Sequence, residues 1–386
     1  MILKDAFNFE KLCYNDGKML NTSCKIFGKS KILAMEVTQM KFKKFAMALA
    51  MMGMLSGIGT ALAAERPYKE IPVNTIEDAY IGTVEDHKAK TGVTVMIFPK
   101  GVMAGVEISG GGPASRETPV IAPTTNPTPL NAVVLGGGSA YGLGASDGVM
   151  QYLEEHGIGY DTGVALVPIV VQSDIFDLAY GRADVRPGPK MGYKACENAM
   201  KRPEIKSGLY GAGVGATVGT YYSMDRATKA GMGVYAVQLG DVKLAAIVIL
   251  NACGDIYDPK TGQKIAGLWN EDRTAFVDIR DEVYKFGVPS LAHKNTTIGA
   301  ILTNVELDRA QLTKVASMTQ NAYARCIYPV GTLYDGDSIY AVSLGKVKAD
   351  VNAVGTLAAE VMQEAILRAV RDSKISDEEY LANCPK

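Results

Sequence analysis

Apolar residues along this chain fall into short runs punctuated by glycine, asparagine and aspartate, and two longer stretches near the end carry a helical period. Val93 to Phe98 and Val102 to Ile108 read as strands joined by a Lys-Gly turn, and Asn131 to Leu135 reads as a short strand entering a glycine cluster. Val164 to Val171 is a further buried strand on this reading. Met232 to Leu239 and Lys243 to Asn251 form a hairpin around Gly240-Asp241. Leu143 to Glu155 is helical, with Ala145, Val149, Tyr152 and Leu153 on one face, and Lys190 to Lys201 is a small helix. Residues 258–294 are polar and mixed, as suits an exposed helix or loop. The β-branched and apolar run Thr296 to Thr303 then predicts a buried strand whose first side chain lies at its mouth. Asp308-Arg309-Ala310-Gln311 has the form of a capping box. Behind it, Leu312, Val315, Thr319, Ala322 and Cys326 trace one helical face. Ser338 to Leu344 is a strand and Asn352 to Arg371 a long amphipathic helix. The pattern predicts an α/β (α+β) fold of largely antiparallel sheets covered by helices.

The composition changes this picture little. The chain has 386 residues, 47% hydrophobic and 21% charged, which is ordinary for a globular protein. A formal charge of −1 gives no reason to expect nucleic acid or an anionic surface as partner. The start of the chain stands apart. Met40-Lys41-Phe42-Lys43-Lys44 is a basic segment, residues 45–62 are largely apolar, and Ala61-Leu62-Ala63-Ala64 offers a small-residue cleavage site. Residues 40–64 therefore read as a secretory signal peptide, with a retained membrane anchor as the alternative. Residues 1–39 in front of it read as an over-long start. The expected location is periplasmic or secreted, with no stable membrane span once the signal is removed. Four cysteines follow the signal: Cys196, Cys253, Cys326 and Cys384. Cys253 and Cys326 sit in apolar surroundings and read as buried thiols. No Cys/His spacing suggests zinc.

The candidate chemistry gathers at two places. At Asn295-Thr296 a polar stretch meets the predicted strand. A cut there would give Thr296 a free α-amine beside its own hydroxyl, a nucleophile and its base in one residue. The plain reading is a hydroxyl that satisfies a nearby backbone group. Downstream, Asp335-Gly336-Asp337 sets two carboxylates about a turn before another strand. Two acids without further clustered ligands make a weak metal site, and neither metal nor cofactor is expected. Gly211-Ala212-Gly213-Val214-Gly215-Ala216 lacks the register of a dinucleotide loop and suits a cleft wall. With His87, His156 and His293 as the only histidines, a Ser-His-Asp triad is not supported.

Taken together, the motif Asn295-Thr296-Thr297-Ile298, the run through Val305 and Asp335-Gly336-Asp337-Ser338 resemble a known family. These are the self-processing N-terminal-nucleophile hydrolases that include 6-aminohexanoate-oligomer (nylon oligomer) hydrolase and L-aminopeptidase/D-esterase (β-aminopeptidase, peptidase family S58). The likeness extends over Thr91 to Val95, Gly111 to Thr118, Leu135 to Leu143, Gly211 to Ala216, Leu250 to Ala252 and Val351 to Gly355. It implies a four-layer α/β/β/α sandwich of the L-aminopeptidase/D-esterase and ornithine acetyltransferase type. It also implies self-cleavage between Asn295 and Thr296, into a large chain over 65–295 and a small chain over 296–386 that stay together and form oligomers. Carried over residue by residue, Thr296 is the nucleophile, Asn251 an oxyanion-site amide, and Asp335 and Asp337 the acidic pair that orients the Thr296 amine or hydroxyl. Around them, Tyr141, Phe176, Thr220 and Lys229 are pocket candidates. Thr220 stands where the nylon enzyme has a lysine, with Lys229 as a candidate substitute, and Phe176 stands where that enzyme has a tyrosine. The expected function is an exported amidase or aminopeptidase acting on short peptides or ω- or β-amino-acid amides. The alternatives are an acyltransferase of the ornithine acetyltransferase type and an unprocessed binding protein.

Overall fold

The structure, a computed structural model, describes residues 66–285 and 295–385, together with a small antiparallel pairing of Tyr14–Asn15 with Lys18–Met19. The chain divides into two units, residues 1–66 and 67–386. The predicted signal at 40–64 lies outside the described residues, as does His293. Among the described residues no helix is long and apolar enough to cross a membrane.

Ten strands of the second unit hydrogen-bond into one continuous system. In chain order they are β1 (Lys69–Glu70), β2 (Tyr80–Asp86), β3 (Thr91–Ile108), β4 (Ala114–Arg116) and β5 (Leu130–Gly136). Then follow β6 (Val170–Asp174), β7 (Met232–Leu239), β8 (Val242–Ile249), β9 (Ile298–Val305) and β10 (Ser338–Val347). The order is β1-β7-β8-β9-β10-β3-β5-β6-β4, with β2 pairing to β3. Strand β3 is where expectation and structure part. The predicted pair at 93–98 and 102–108 is one strand of 18 residues with an irregularity between Ile97 and Val102. Its first half pairs with β2 and β5, and its second half, from Met103 to Ile108, pairs with β10. A hairpin would have kept both halves in one sheet; the continuous strand belongs to two. The strand predicted at 164–171 also shifts, to Val170–Asp174, and Val164 is exposed in a small hairpin.

Three apolar layers separate four layers of structure. Alternation along the strands sorts the side chains, because successive residues point to opposite faces. Ile298, Ala300 and Leu302 of β9 and Tyr340 and Val342 of β10 face Met96, Phe98, Val133 and Leu135 in a core between the two sheets. Ile301, Ile339 and Ala341 face the other way, against α4 (Arg309–Cys326) and α5 (Val351–Arg371). On the far side, Val93, Val95 and Val134 pack against α1 (Ala145–Glu155) and α2 (Pro189–Met200). The helices start where the sequence says they should. Asp308 accepts from the Gln311 N–H while the Gln311 side chain returns to the Asp308 N–H, and Asp350 caps α5 through the N–H groups of Asn352 and Ala353. The face of α4 traced from sequence is the buried one, Cys326 included. Two short helices complete the unit, α3 (Ile279–Val283) and α6 (Asp377–Leu381). Cys196, Cys253 and Cys326 are buried thiols and Cys384 is partly buried; none of the four forms a disulfide.

Candidate active site

The site forms at the mouth of two parallel strands. Strands β9 and β10 are linked by a crossover through α4, as a parallel pair requires. Ile298 lies opposite Ser338, and the register continues outward until Asn295 lies opposite Asp335. Thr296 is thereby set beside Gly336, and Thr297 beside Asp337. The regular strand begins at Ile298, so Thr296 lies just outside it rather than as its first residue. All five polar residues of this doublet, Asn295, Thr296, Thr297, Asp335 and Asp337, are buried.

The hydrogen bonds converge on one peptide. The Asn295 carbonyl accepts from the Thr296 hydroxyl at 2.5 Å and from the Gly336 N–H at 2.9 Å. The Thr296 N–H donates to the Asn251 carbonyl at 2.7 Å. A carbonyl held by two donors, one of them the adjacent hydroxyl, is polarised, and a fixed N–H there would stabilise charge developing on its oxygen. Gly336 is essential to this approach: a Cβ on it would lie 2.8 Å from the Thr296 Oγ1.

The two carboxylates brace the backbone around this peptide. Asp337 accepts from the Thr297 N–H at 2.7 Å and the Gly331 N–H at 3.0 Å. Asp335 accepts from the Thr332 N–H and hydroxyl at 2.8 and 2.7 Å, and its carbonyl takes the Gly112 N–H at 2.9 Å. Burial pushes the Asp337 acid up to about 7, with the charge of Asp335 adding to the push and the N–H groups of Thr297 and Gly331 opposing it. Burial raises Asp335 as well, opposed by Thr332. Two coupled buried acids, one raised to about 7, favour a proton held by the pair into the neutral range. In the intact chain neither carboxylate takes the Thr296 amine or hydroxyl, contrary to the arrangement implied by resemblance. The Thr296 nitrogen is a peptide nitrogen whose one hydrogen goes to the Asn251 carbonyl, and the hydroxyl goes to the Asn295 carbonyl.

Asn251 meets Thr296 through its backbone carbonyl, and its side chain is engaged elsewhere. Its side-chain amide donates to the Phe176 carbonyl at 3.2 Å, and its Oδ1 accepts from the Thr217 N–H at 3.0 Å. The oxygen of Asn295 is served by Gly336 instead. Thr220 does reach the site, donating its hydroxyl to the Asn295 Oδ1. It lines a narrow crevice of about 10 Å³, room for about one water, with Phe176, Asp177, Ala179, Tyr180, Thr217 and Met224. Lys229 sits behind this wall. Its ammonium is buried and donates to the carbonyls of Gly213, Ala216 and Ala230, at 3.0, 2.7 and 2.5 Å, so it braces the glycine-rich turn and does not touch Asn295 or Thr296. Burial pushes its amine well below the usual range, helped by Lys90 and opposed by Asp177 and Glu379. Tyr141 is 64% exposed under the Arg186 guanidinium, which lies 4.0 Å from its ring centroid, and its contact is with that side chain.

Gly336, Thr297, Gly331, Thr332 and Thr217 were not singled out from the sequence. All five act through backbone N–H groups, which leave no signature in residue type. Among the described residues no group of three or more His, Cys, Asp or Glu side chains could hold a metal ion.

Comparison with known proteins places this geometry. The model of peptidase family S58 matches residues 73–377. An uncharacterised aminopeptidase of Mycobacterium leprae is 34% identical over 307 residues, covering 72% of this chain and 82% of that protein. A 6-aminohexanoate-oligomer endohydrolase of Agromyces sp. is 30% identical over 306 residues, covering 75% and 83%. Among solved structures, the L-aminopeptidase D-Ala-esterase/amidase of Ochrobactrum anthropi, a variant of the Ntn-hydrolase fold, superposes with a TM-score of 0.59 at 17% identity, over 81% of this chain and 92% of that one. A β-aminopeptidase of Burkholderia sp. gives 0.54 at 18% identity, over 81% and 92%. The fold is that of the Ntn hydrolases, and the chain belongs to peptidase family S58, the amide-bond hydrolases that include aminopeptidases.

Proposed function

We propose that this chain is an exported aminopeptidase or amidase that cuts itself between Asn295 and Thr296 and then uses the Thr296 α-amine and hydroxyl as base and nucleophile. The observation that carries the reading is the Asn295 carbonyl oxygen, which takes both the Thr296 hydroxyl and the Gly336 N–H. In maturation the Thr296 Oγ1 bonds to the Asn295 carbonyl carbon, the C–N bond breaks, and the hydroxyl proton ends on the Thr296 nitrogen. Water then hydrolyses the resulting ester, leaving an Asn295 carboxylate and a free threonine amine. Asp335 and Asp337, with acids raised toward neutrality, manage the proton. In turnover the amine, with an ordinary value near ~8, takes the hydroxyl proton as Oγ1 attacks a substrate amide. By resemblance, the Asn251 amide would serve the substrate oxyanion once it leaves the Phe176 carbonyl, which it meets in the intact chain.

The large chain covers 65–295 and the small chain 296–386, and cleaved pairs assemble into homo-oligomers. Short peptides or ω- or β-amino-acid amides are the substrates, consistent with the relatives named for aminopeptidase and 6-aminohexanoate-oligomer cleavage. Export rests on the sequence of residues 40–64. The test is intact mass under denaturing conditions after expression from Met40. Two chains, the smaller beginning at Thr296, support the reading; a single chain that stays uncut overturns it.

A further inference from the structure

In a self-cleaving hydrolase the chain is its own first substrate, so the side chain before the cut occupies whatever space the site offers to the acyl half. Here that side chain is Asn295. It is buried, and its Oδ1 accepts the Thr220 hydroxyl. Its Nδ2 has no hydrogen-bond partner among the described residues. The site therefore reads the carbonyl end of the side chain, with a single hydroxyl donor, and offers the amide nitrogen nothing. Thr220 also lines the adjoining cleft with Phe176, Thr217 and Tyr180. Three carboxylates lie around this volume: Asp177 in the cleft wall, and Asp335 and Asp337 across the cut. Where they ionise, their charge disfavours a further carboxylate in the pocket. An apolar side chain of the same shape would leave the Thr220 hydroxyl without its acceptor, and sites built around a hydrogen bond discriminate against analogues that lack it.

We infer that the pocket held by Asn295 in the intact chain is the acyl subsite of the mature enzyme, and that Thr220 makes it selective for acyl groups carrying a neutral carbonyl on a short side chain, asparaginyl above all. The preferred substrates are aminoacyl amides of that class, ahead of isosteric apolar ones and of the aspartyl analogue. This inference rests on the self-cleaving reading above. Lys229 does not share the role, since its ammonium is committed to three backbone carbonyls behind the wall.

The experiment uses the full chain after processing, with active sites counted by the mass of the Thr296 chain. L-asparaginyl, L-leucyl and L-aspartyl p-nitroanilides are compared by kcat/KM. The expected result is a preference of about tenfold or more for asparaginyl over leucyl. In Thr220→Val that ratio falls toward unity, and in Thr220→Ser it is retained. Equal or better turnover of the leucyl substrate by the wild type overturns the inference, as does a preference that survives in Thr220→Val. Should Thr220→Val fail to fold, Asn295→Leu gives an independent arm. Its intact chain is expected to cut itself about tenfold more slowly than wild type, and an unchanged rate counts against the inference. A wild-type chain that never cuts itself overturns the proposed function instead, so the two failures are distinguishable.

Discussion

The molecule holds two pairs of buried acids, and they teach different things. Asp335 and Asp337 close the mouth of β9 and β10; Asp174 and Asp177 follow one another at the end of β6. By burial and titration they are alike. Burial raises Asp337 to about 7, Asp177 to about 6 and Asp174 well above the usual carboxylate range. Their surroundings differ. Asp177 accepts from the Thr91 hydroxyl at 2.6 Å and the Gly138 N–H at 2.7 Å, and Asp174 takes the Gln172 amide at 2.7 Å. The glycine cluster after β5 exists to admit them, since a Cβ on Gly137 would run into the Asp177 carboxylate. Around Asp335 and Asp337 the same burial frames a peptide whose oxygen carries a nucleophilic hydroxyl and a backbone N–H. A raised acid is therefore common to both regions; what distinguishes the candidate active site is the Asn295-Thr296 peptide at its centre, the bond proposed to break.

That distinction can be broken by mutation, most severely at the bond itself. Thr296→Ala is expected to leave a single uncut chain and to lower amide hydrolysis on the order of 10⁴-fold or more, while Thr296→Ser still cuts. Both outcomes are read by intact mass and a p-nitroanilide assay. Asp337→Asn is expected to slow self-cleavage by about 10²-fold or more, the scale of a general acid-base group. In the wild type the rate of cutting is expected to rise as pH climbs through about 7, as Asp337 loses its proton, and this rise is expected to be absent in the variant. Stability runs the other way. Because burial favours the protonated acid, the folded chain binds more protons than the unfolded one between the ordinary value of 3.8 and about 7, so stability falls as pH rises through that window. Gly336→Ala places a methyl 2.8 Å from the Thr296 Oγ1 and is expected to slow cutting by roughly tenfold or more, with a smaller change in melting temperature. Asp177→Asn marks the other end of the scale. It keeps the shape of the side chain and is expected to leave the cutting rate within a few-fold of wild type. Stability changes by about 1 kcal/mol, and its fall between pH 3.8 and about 6 is flattened. A cutting rate as sensitive to Asp177 as to Asp337 would erase the contrast between the two pairs.

Much of this was legible in the residues. The hairpin of β7 and β8, the capping box at Asp308 and the buried stripe of α4 follow from alternation and period, because each is a local pattern. Thr296, Asp335 and Asp337 could be picked out because their residue types and family motif carry chemistry. Strand β3 was misread because Lys100 and Gly101 look the same in a turn as in a strand that changes sheets; only the partner strands decide. Gly336 was passed over as a turn residue. Its contribution is an N–H shared by nearly every residue type, and its need for a bare Cα appears only when Thr296 is beside it. Tyr141 and Lys229 fail for the opposite reason: suitable chemistry in the sequence, but one side chain at the surface and the other spent on backbone carbonyls.

The order of strands has one more consequence. A cut after Asn295 would separate a piece holding β1 to β8 from a piece holding β9 and β10. In the sheet, β9 lies between β8 and β10, and β10 lies between β9 and β3. The smaller piece is thus threaded into the larger like two middle staves of a barrel, bonded along both flanks. Neither fragment owns a finished sheet, and parting them would strip open the edges of β8 and β3 at once. Breaking the covalent link would therefore release no partner: the two fragments would remain one body until the whole sheet melts.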